Sequence, residues 1–311
     1  MKVLKPKFWD QKKYSFLAII FLPFSVIFQL INYLKIKLGK KRKFPYPVIC
    51  VGNIYVGGTG KTPLTIRISE ILTKLKKKPA IIRKFHKNHD DEISLISSKT
   101  GNVIVEKTRE KAIEKAITKG FNAFVLDDGF QDHSIHKDMQ ILCFNEKQLL
   151  GNGLTIPSGP LREGLNSLRR SHLVLINGEK NNVFEKQIKN HNDKVKIFYS
   201  SYISDDFNRL KNKKLLAFAG IGNPQNFFNL LTQNNLDVIE TMVFPDHYNF
   251  SKEEIQKILN IAKNKKLSLV TTEKDYFRIK KFGFEDILHL RIKIKISAEN
   301  NIESEIENYL K

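Results

Sequence analysis

Short apolar runs rich in β-branched residues alternate with segments of helical periodicity along most of the chain. Apolar runs bounded by polar or glycine-containing turns predict buried strands, and the segments between them predict helices packed on a sheet. The first part of the chain shows strands near 48–52, 80–83, 122–127, 139–144, 172–176 and 196–199, and helices near 63–76 and 109–119. A polar loop at 84–92 and apolar runs at 93–96 and 103–105 lie between them. This order predicts an α/β fold with a mainly parallel sheet.

The same alternation starts again after a polar and charged stretch at 204–214, which predicts a linker. The second series has strands near 215–219, 238–244, 267–270 and 287–296, helices after 224 and at 252–263, and an amphipathic helix at the end. The pattern therefore predicts one α/β domain at 44–205 and a second, smaller α/β domain at 206–311.

Residues 1–43 differ from both domains in charge and in hydrophobicity. They contain eleven Lys and Arg side chains and a single acid, Asp10, and thus hold ten of the chain's net 21 positive charges. Their apolar core, 16–28, contains Pro23 and Ser25 and is short for a bilayer span, which takes about 20 apolar residues. Lysines flank both ends, so no charge asymmetry orients a span. We expect a helix lying in the membrane interface, in preference to a true span or a buried core helix.

The net charge of +21 predicts an anionic partner: nucleic acid, an anionic membrane surface or a phosphorylated substrate. The chain lacks a basic and aromatic readout motif, so nucleic acid is not expected. Cys50 and Cys143 both lie within apolar runs, which predicts buried thiols in a reducing compartment.

The stretch Val48–Pro63 reads VICVGNIYVGGTGKTP, a strand followed by a glycine-rich turn, Lys-Thr and a helical pattern. This is the order of a phosphate-binding loop, in which backbone N–H groups and the lysine hold phosphates and the threonine hydroxyl holds Mg²⁺. Tyr55 stands where the usual pattern has its first glycine. The predicted nucleotide-binding residues are Gly57, Gly58, Thr59, Gly60, Lys61 and Thr62.

Asp127 and Asp128 end an apolar strand that follows the phosphate-binding loop, as Mg²⁺-holding carboxylates of nucleotide-binding enzymes do. Ligands of open α/β sheets lie at the carboxyl ends of the strands, so both acids are expected on the side of Lys61. Arg162 and Arg170 follow a loop rich in glycine and proline and suit phosphate binding, although a solvated basic face fits them nearly as well. His247 at a strand end suits acid–base or orienting work, with a plain surface histidine as the alternative.

Taken together, these motifs resemble the tetraacyldisaccharide 4′-kinase family of lipid A biosynthesis. The resemblance rests on the following segments, in the family's order: VGNIYVGGTGKTP, VLDDGFQ (125–131), GNGLTIPSGPLRE (151–163), LRR (168–170), VLING (174–178), AFAGIGNPQNFF (217–228), FPDHY (244–248) and TTEKD (271–275). It implies a P-loop kinase domain with a smaller α/β domain and an active site between them. It also implies an enzyme that uses ATP and Mg²⁺ to phosphorylate the 4′-hydroxyl of a tetraacyldisaccharide 1-phosphate.

The resemblance also implies roles for individual residues. Asp91 is the implied catalytic acid with His247 as its partner, but the matching segment lacks its flanking glycine and proline, so Asp90 remains an alternative. Lys61 completes the implied catalytic set. Thr62, Asp128 and Glu92 are the implied metal ligands, with Asp127 competing for that role. The implied substrate contacts are Asp127, Gln131, Arg162 and Arg170.

For partners and location, we expect the acylated disaccharide, an anionic membrane surface at the cytoplasmic face of the inner membrane, and a monomeric enzyme. The competing hypothesis is a membrane-associated P-loop NTPase that acts as a switch or assembly factor and has no small-molecule acceptor.

Overall fold

The computed structural model describes residues 5–11, 14–86 and 90–310, the side chains of Asp90 and Asp91 excepted. Within these residues the chain forms twelve strands and ten α-helices. The strands are β1 (Val48–Gly52), β2 (Pro79–Lys84), β3 (Val103–Glu106), β4 (Ala123–Asp127), β5 (Met139–Asn145), β6 (Leu173–Asn177), β7 (Lys196–Ile203), β8 (Lys214–Ala219), β9 (Asp237–Val243), β10 (Ser268–Thr272), β11 (Leu288–Leu290) and β12 (Lys293–Ile296). The helices are α1 (Phe16–Leu38), α2 (Lys61–Lys74), α3 (Asp90–Thr100), α4 (Arg109–Thr118), α5 (Asn182–His191), α6 (Phe207–Leu210), α7 (Pro224–Gln233), α8 (Lys252–Asn264), α9 (Glu273–Ile279) and α10 (Glu299–Leu310).

In the described part of the chain, the larger sheet has eight strands in the order β12-β7-β6-β5-β1-β4-β2-β3. The pairs from β7 to β3 are parallel. Strands β1 and β4 are buried at every position, as expected for a parallel sheet covered by helices on both faces. The chain crosses from β4 to β5 on the opposite side of β1, so the topological switch point lies at β1, where ligands of such sheets bind.

The smaller sheet, over the same described residues, has four parallel strands in the order β11-β10-β8-β9. Its two faces are covered by separate apolar clusters, one built around Phe227, Phe228 and Leu231, the other around Phe218, Ile255 and Leu259. Helix α8 begins with a capping box in which Ser251 and Glu254 satisfy each other's backbone N–H groups. The predicted α/β class with a parallel sheet and a second, smaller sheet is confirmed.

The chain divides into two compact units, and each is formed from separate segments. Of the described residues, the larger contains 5–11, 14–85, 102–201 and 295–310, and the smaller contains 86, 90–101 and 202–294. The boundary near 202 is close to the predicted one at 205. Segment 90–101, however, belongs to the smaller unit and segment 295–310 to the larger one, the reverse of the predicted division.

Two packing arrangements explain these departures from the predicted boundaries. Helix α3 packs against α9, and Lys99 contacts Glu273 at 2.7 Å, so residues 90–100 belong to the smaller unit. Helix α10 pairs with helix α2 of the larger unit through Glu303 and Lys74, 2.8 Å apart. The apolar run at 93–96 belongs to helix α3, in which Leu95 and Ile96 are buried.

The predicted single strand at 287–296 is wrong, because it is two strands in two different sheets. Strand β11 pairs with β10 of the smaller sheet, whereas β12 lies at the edge of the larger one. The break falls at Arg291, whose guanidinium and backbone N–H both donate to the buried carboxylate of Asp206. The predicted linker at 204–214 thus includes a fixed point of the smaller unit.

Helix α1 is apolar and exposed on most of its surface. It has 23 residues, of which only Ala18 and Ser25 are buried, and it is about 34 Å long at 1.5 Å per residue. Among the described residues it is the one helix long and apolar enough to cross a membrane, judged by length and composition alone. A buried core helix, one of the three alternatives, is not what the chain forms.

One narrow polar stripe of α1 attaches it to the larger unit. The Ser25 hydroxyl donates to the Thr155 carbonyl at 2.8 Å, and the Gln29 amide donates to the Thr155 hydroxyl at 3.0 Å. The Asn32 amide donates to the carbonyl of Arg162 at 3.3 Å. Residues 25, 29 and 32 share one helix face, and most of the apolar side chains on the other faces of α1 are exposed.

Candidate active site

The glycine-rich turn after β1 has the geometry that a phosphate-binding loop needs. Gly57 and Gly60 have φ angles of 126° and 93°, which side chains other than glycine rarely adopt. Gly60 caps α2, which begins at Lys61, so free N–H groups and the positive end of the helix dipole face the same place. The buried Asn53 amide braces the loop from within, donating to the Tyr55 carbonyl at 2.6 Å and to the Thr59 hydroxyl at 3.0 Å.

Tyr55, the departure from the usual loop pattern, joins the loop to the amino-terminal segment. Its side chain is fully buried, and its hydroxyl donates to the carboxylate of Asp10 and accepts from Lys5 at 2.5 Å. Burial, followed by the bond to Asp10, raises the pKa of the Tyr55 hydroxyl. The other side of the loop is fixed by residues 160 and 161. Tyr55 pairs with Leu161 as in an antiparallel strand, and the Val56 N–H donates to the Pro160 carbonyl at 2.9 Å.

Tyr55→Phe is expected to destabilise the larger unit by about 1–2 kcal/mol, because it removes a hydroxyl that serves a carboxylate and an ammonium while keeping the ring. Urea unfolding measures this change. Tyr46→Phe is the matched control, since the Tyr46 side chain is 40% exposed and its loss of a hydroxyl should change stability by less than about 0.5 kcal/mol. Equal effects of the two substitutions would contradict the anchoring role of Tyr55.

Lys61, Asp128 and Arg162 form the charged centre of the site, and the structure brings these three predicted residues together. Lys61 Nζ lies 3.7 Å from Asp128 Oδ1, and Arg162 Nη1 donates to both oxygens of Asp128 at 2.9 and 3.1 Å. Burial alone would raise the pKa of Asp128, but Lys61 and Arg162 outweigh it and lower the pKa to about 2. An ionised carboxylate is therefore held beside the lysine of the phosphate-binding loop.

Asp127 is adjacent in sequence but occupies a different environment. It is 2% exposed, accepts from the Thr65 hydroxyl of α2 at 3.0 Å and lies 3.2 Å from Arg83 Nη1 of β2. The side chain is still in the strand and faces the helix, whereas Asp128 has left the strand with a φ angle of 53°. The structure thus ties Asp127 to the connection between α2 and the sheet, and its predicted contact with substrate stays a prediction.

Two buried cations hold the turn that presents Asp128. Arg109 Nη2 donates to the carbonyls of Asp127 and Asp128 at 3.3 and 2.7 Å, and Lys137 Nζ donates to those of Gly129 and Phe130 at 2.6 and 2.9 Å. Four consecutive backbone carbonyls, 127–130, are engaged in this way. Burial lowers the pKa of Lys137. The two cations compensate for the positive φ angle of Asp128, which costs a non-glycine residue about 1–2 kcal/mol.

Lys137→Met should leave the Phe130 carbonyl without its side-chain donor and the Gly129 carbonyl with the Asp132 N–H alone, at a cost of about 1–3 kcal/mol in stability, and should lower turnover through Asp128. Lys137→Arg, which keeps a charged donor, should restore part of both quantities. Thermal unfolding and phosphate transfer are the measurements. Lys115→Met is the control, because Lys115 forms an ion pair with Glu106 on the surface and its loss should have little effect. A Lys137→Met protein that matches this control would refute the role of Lys137.

The residues at this site fit a magnesium ion in their donor chemistry. Among the described residues, no group of three or more His, Cys, Asp or Glu side chains is placed to hold a metal. Mg²⁺ at nucleotide sites takes one or two protein oxygens and completes its shell with phosphates and water. The Thr62 hydroxyl, next to Lys61 at the start of α2, and the ionised Asp128 are oxygens of this kind.

The other predicted substrate contacts have different partners in the structure. The Gln131 amide donates to the Asn53 carbonyl at 2.9 Å, and its oxygen lies 3.5 Å from Arg162 Nη1. Arg170 differs, because it donates to Glu163 at 2.7 Å and lies over the Phe130 ring at 4.6 Å, so its charge is already paired. Gln131 and Arg162 are thus joined to the loop, and Arg170 supports the turn from behind.

In the smaller unit, His247 follows β9 and is held at two points. Its backbone N–H donates to the Gly220 carbonyl at 3.1 Å, and its Nδ1 lies 3.2 Å from Arg278 Nη2. Glu92, a predicted metal ligand, accepts from Lys274 at 2.5 Å within the same unit. The side chains of Asp90 and Asp91 lie outside the described residues, so the predicted role of Asp91 stays a prediction.

Four supporting residues escaped the sequence analysis: Asn53, Arg83, Arg109 and Lys137. The role of Asn53 could have been predicted, because an asparagine between a buried strand and a glycine-rich turn commonly hydrogen-bonds the backbone of that turn. The sequence gives no comparable indication for Arg109 and Lys137. Arg109 reads as a charge at the start of a helix, and Lys137 reads as a residue of a polar loop.

Both cysteines are free and buried, as predicted. Burial raises the pKa of both thiols, so they are apolar core groups at neutral pH.

A glycine-rich loop capping α2 at the switch point of a parallel sheet, with a lysine, an arginine and an ionised aspartate in contact, defines a P-loop enzyme of phosphoryl transfer. Comparison with known proteins narrows this class. The sequence profile described as "Tetraacyldisaccharide-1-P 4′-kinase" matches residues 17–311, and the chain belongs to this family.

Individual relatives agree with the family match. The chain is 41% identical to the tetraacyldisaccharide 4′-kinase of Pelagibacter ubique, covering 98% of each chain, and 33% identical to that of Rickettsia bellii, covering 96% of each. Among solved structures it is similar to LpxK from Aquifex aeolicus in complex with ATP, with a TM-score of 0.71, 26% identity, and coverage of 95% of this chain and 100% of that one.

Proposed function

We propose that this protein is an ATP-dependent kinase that transfers the γ-phosphate to the 4′-hydroxyl of a tetraacyldisaccharide 1-phosphate in lipid A biosynthesis. The observation that carries the proposal is the contact of Lys61 and Arg162 with Asp128 beside the capped start of α2. The family match over residues 17–311 supplies the acceptor. A switch or assembly factor with no acceptor is not favoured, since relatives of nearly full coverage carry the kinase name.

The residues of the larger unit serve the phosphates. The backbone N–H groups of the loop at 57–60 and Lys61 bind the β- and γ-phosphates, as the conformation of the loop supports. Arg162, now paired with Asp128, is placed to stabilise charge that develops during transfer. Asp128 stays ionised throughout the neutral range because its pKa is about 2.

Thr62 and Asp128 would hold Mg²⁺, with Glu92 as a further candidate ligand. When bound, the ion neutralises charge on the phosphate oxygens. Among the predicted substrate contacts, Gln131 and Arg162 keep their place in the proposal because they line the loop.

Asp91 is proposed as the group that accepts the proton of the acceptor hydroxyl, and His247 as its partner. A positioned carboxylate of this kind contributes about 10²–10⁴-fold to a rate. Asp91→Asn should therefore reduce turnover far more than ATP affinity. If Asp90→Asn is the inactive variant, the proton acceptor is Asp90.

The test is transfer of labelled γ-phosphate from ATP to a detergent-dispersed tetraacyldisaccharide 1-phosphate, with and without Mg²⁺. A labelled lipid whose phosphate maps to the 4′-position is the expected product. ATP hydrolysis without any labelled lipid would favour the switch hypothesis and overturn the kinase proposal.

Helix α1 is proposed to hold the enzyme at the cytoplasmic face of the inner membrane as an interfacial anchor. Its apolar side chains are exposed on every face except the stripe of Ser25, Gln29 and Asn32, and lysines flank both ends. Basic residues near an anionic surface add about 1 kcal/mol each to binding.

Replacing Phe24, Ile27 and Ile31 together by serine should release the protein from vesicles containing anionic lipid, as measured by co-sedimentation. These three side chains are exposed, so the substitutions should leave the folded units unchanged. Replacement of three exposed apolar residues elsewhere, Val183, Ile239 and Ile261, is the control and should leave binding intact. Unchanged sedimentation of the α1 variant would refute the anchor.

A further inference from the structure

A chain of three side chains in the smaller unit leads to His247. Asp275, in the first turn of α9, is fully buried and accepts from the Gly220 N–H at 2.9 Å and the Thr272 hydroxyl at 2.8 Å. Arg278, one turn later, donates to Asp275 Oδ1 and to the Gly220 carbonyl, both at 2.6 Å. Its second terminal nitrogen lies 3.2 Å from His247 Nδ1.

The guanidinium of Arg278 is held in place by groups other than the imidazole of His247. A carboxylate with no exposed surface holds one edge of Arg278, and the same Gly220 carbonyl accepts from both Arg278 and the His247 backbone N–H, the latter at 3.1 Å. The ring and the backbone of His247 are therefore tied to one rigid set of groups. This arrangement is a carboxylate that orients a cation, which in turn orients an imidazole.

The contact decides which ring nitrogen carries the proton. Arginine stays protonated in proteins and has only donors, so a hydrogen bond between Arg278 and Nδ1 requires Nδ1 to accept. A neutral imidazole that accepts at Nδ1 carries its hydrogen on Nε2. The opposite side agrees, because the carboxylate of Asp246 lies 3.8 Å from Nε2 and a carboxylate can only accept when ionised.

We propose that Arg278 is a positioning residue that fixes His247 as the Nε2–H tautomer, so that His247 donates a hydrogen bond to a carboxylate and does not itself accept the acceptor's proton. A ring that already holds a hydrogen on Nε2 and a donor against Nδ1 has no lone pair left for the hydroxyl proton. The catalytic consequence rests on the proposed kinase function, in which His247 is the partner of the proton-accepting carboxylate; the tautomer itself does not.

The direct measurement is a long-range ¹H–¹⁵N correlation spectrum of the ¹⁵N-histidine-labelled protein at pH 8, where an ordinary imidazole is neutral. The chain has eight histidines, and the spectrum of His247→Gln identifies the one that matters. The wild-type ring is expected to show a protonated Nε2 and an unprotonated Nδ1. Arg278→Met should give a mixture of the two tautomers, and Arg278→Lys, which keeps a cationic donor, should restore the Nε2–H form at least in part.

The kinetic measurement is phosphate transfer by the same variants. Arg278→Met should lower kcat by about 10–100-fold, the usual effect of losing a group that orients a catalytic side chain, with little change in KM for ATP. The double variant Arg278→Met with His247→Gln should be no slower than His247→Gln alone, because both act through one ring. Arg291→Met is the control, since it breaks the pair with buried Asp206 in the same unit but does not touch His247.

The outcomes separate the two levels of the proposal. A protonated Nδ1 in the wild type, or an unchanged tautomer in a folded Arg278→Met protein, would overturn the role of Arg278. Multiplying kinetic effects in the double variant would also overturn it. If Arg278→Met fails to fold, as judged by its unfolding curve, Arg278→Lys and the wild-type spectrum decide. If the wild type transfers no phosphate, the kinase proposal fails while the tautomer remains measurable.

Discussion

Lys61→Ala should reduce phosphate transfer by about 10²–10³-fold or more, because it removes the cation that serves the developing charge on the transferred phosphate. The structure adds a second effect, since Lys61 is one of three cations, with Arg162 and Arg109, that hold the pKa of Asp128 at about 2. Without Lys61, the carboxylate keeps Arg162, 2.9 Å away, and the more distant charge of Arg109. Steady-state transfer at saturating ATP measures the loss.

Lys74→Ala is the matched control for Lys61→Ala, because both lysines belong to α2. Lys74 lies in the last turn of the helix and pairs with Glu303 on the surface, so the removal of Lys74 should leave turnover within about twofold. Unfolding curves should show both variants folded. Wild-type turnover by Lys61→Ala would exclude the glycine-rich turn as the nucleotide site.

Asp127→Asn should lower stability, whereas Asp128→Asn should lower phosphate transfer, although the two residues are adjacent. Asp127→Asn leaves Arg83, whose side chain is 6% exposed, without its carboxylate, and breaking a buried pair costs about 3–5 kcal/mol. Asp128→Asn keeps a side chain that tolerates a positive φ angle, so the protein should fold while transfer falls by about 10²–10³-fold. Urea unfolding and transfer kinetics on both proteins separate the two results.

The acid dependence of stability gives an independent readout of Asp128. Its pKa in the folded protein is about 2, below the ordinary value of 3.8, so its stabilising effect is complete above about pH 4 and is lost as the pH falls through 2. The contribution amounts to at most about 2.5 kcal/mol. Asp128→Asn should therefore flatten the fall in stability between pH 4 and pH 2, and an unchanged acid limb would contradict the pairing with Lys61 and Arg162.

The sequence predicted the P-loop unit well because its signals are local. A buried parallel strand, a glycine-rich turn and a helix start within sixteen residues, 48–63, and each step has its own residue preference. The position of Asp128 beside Lys61 followed from one rule, that the carboxyl ends of parallel strands meet at one edge of the sheet, whereas Arg162 was predicted only as a candidate phosphate contact of its loop.

The same signals could not separate Asp127 from Asp128. The difference between them is one residue of strand: Asp127 still pairs in register with Val51, and Asp128 has turned away with a positive φ angle. That turn depends on Arg109 and Lys137, which come from a helix and a loop elsewhere in the chain. Contacts at such a distance along the chain leave no pattern in the strand itself.

The prediction of a single strand at 287–296 failed for a related reason. Its alternating apolar positions suit either sheet, and the break is decided by the bonds of Arg291 to Asp206, 85 positions earlier. The same limit applies to the extent of the smaller unit, because the pairing of Lys99 with Glu273 is what places residues 90–100 there.

The contacts of the amino-terminal segment change how its role should be tested. Removing residues 1–43 would remove α1, the proposed anchor, but it would also remove the contacts of Asp10 and Lys5 with Tyr55 and of Ser25 with Thr155. Loss of activity after such a deletion would therefore mix membrane binding with damage to the nucleotide loop. Substitutions on the exposed side of α1 avoid this confusion.

The discontinuous larger unit also fixes an order of events during synthesis. Strand β12 and helix α10 pack on the larger unit but are translated after the whole of 202–294. At about 5–20 residues per second, α1 has left the ribosome for many seconds before the last segment of the same unit emerges. In that interval the apolar helix and the unfinished sheet edge at β7 are both exposed. An exposed apolar helix and an unpaired strand edge on one nascent chain both favour aggregation until the last segment is in place.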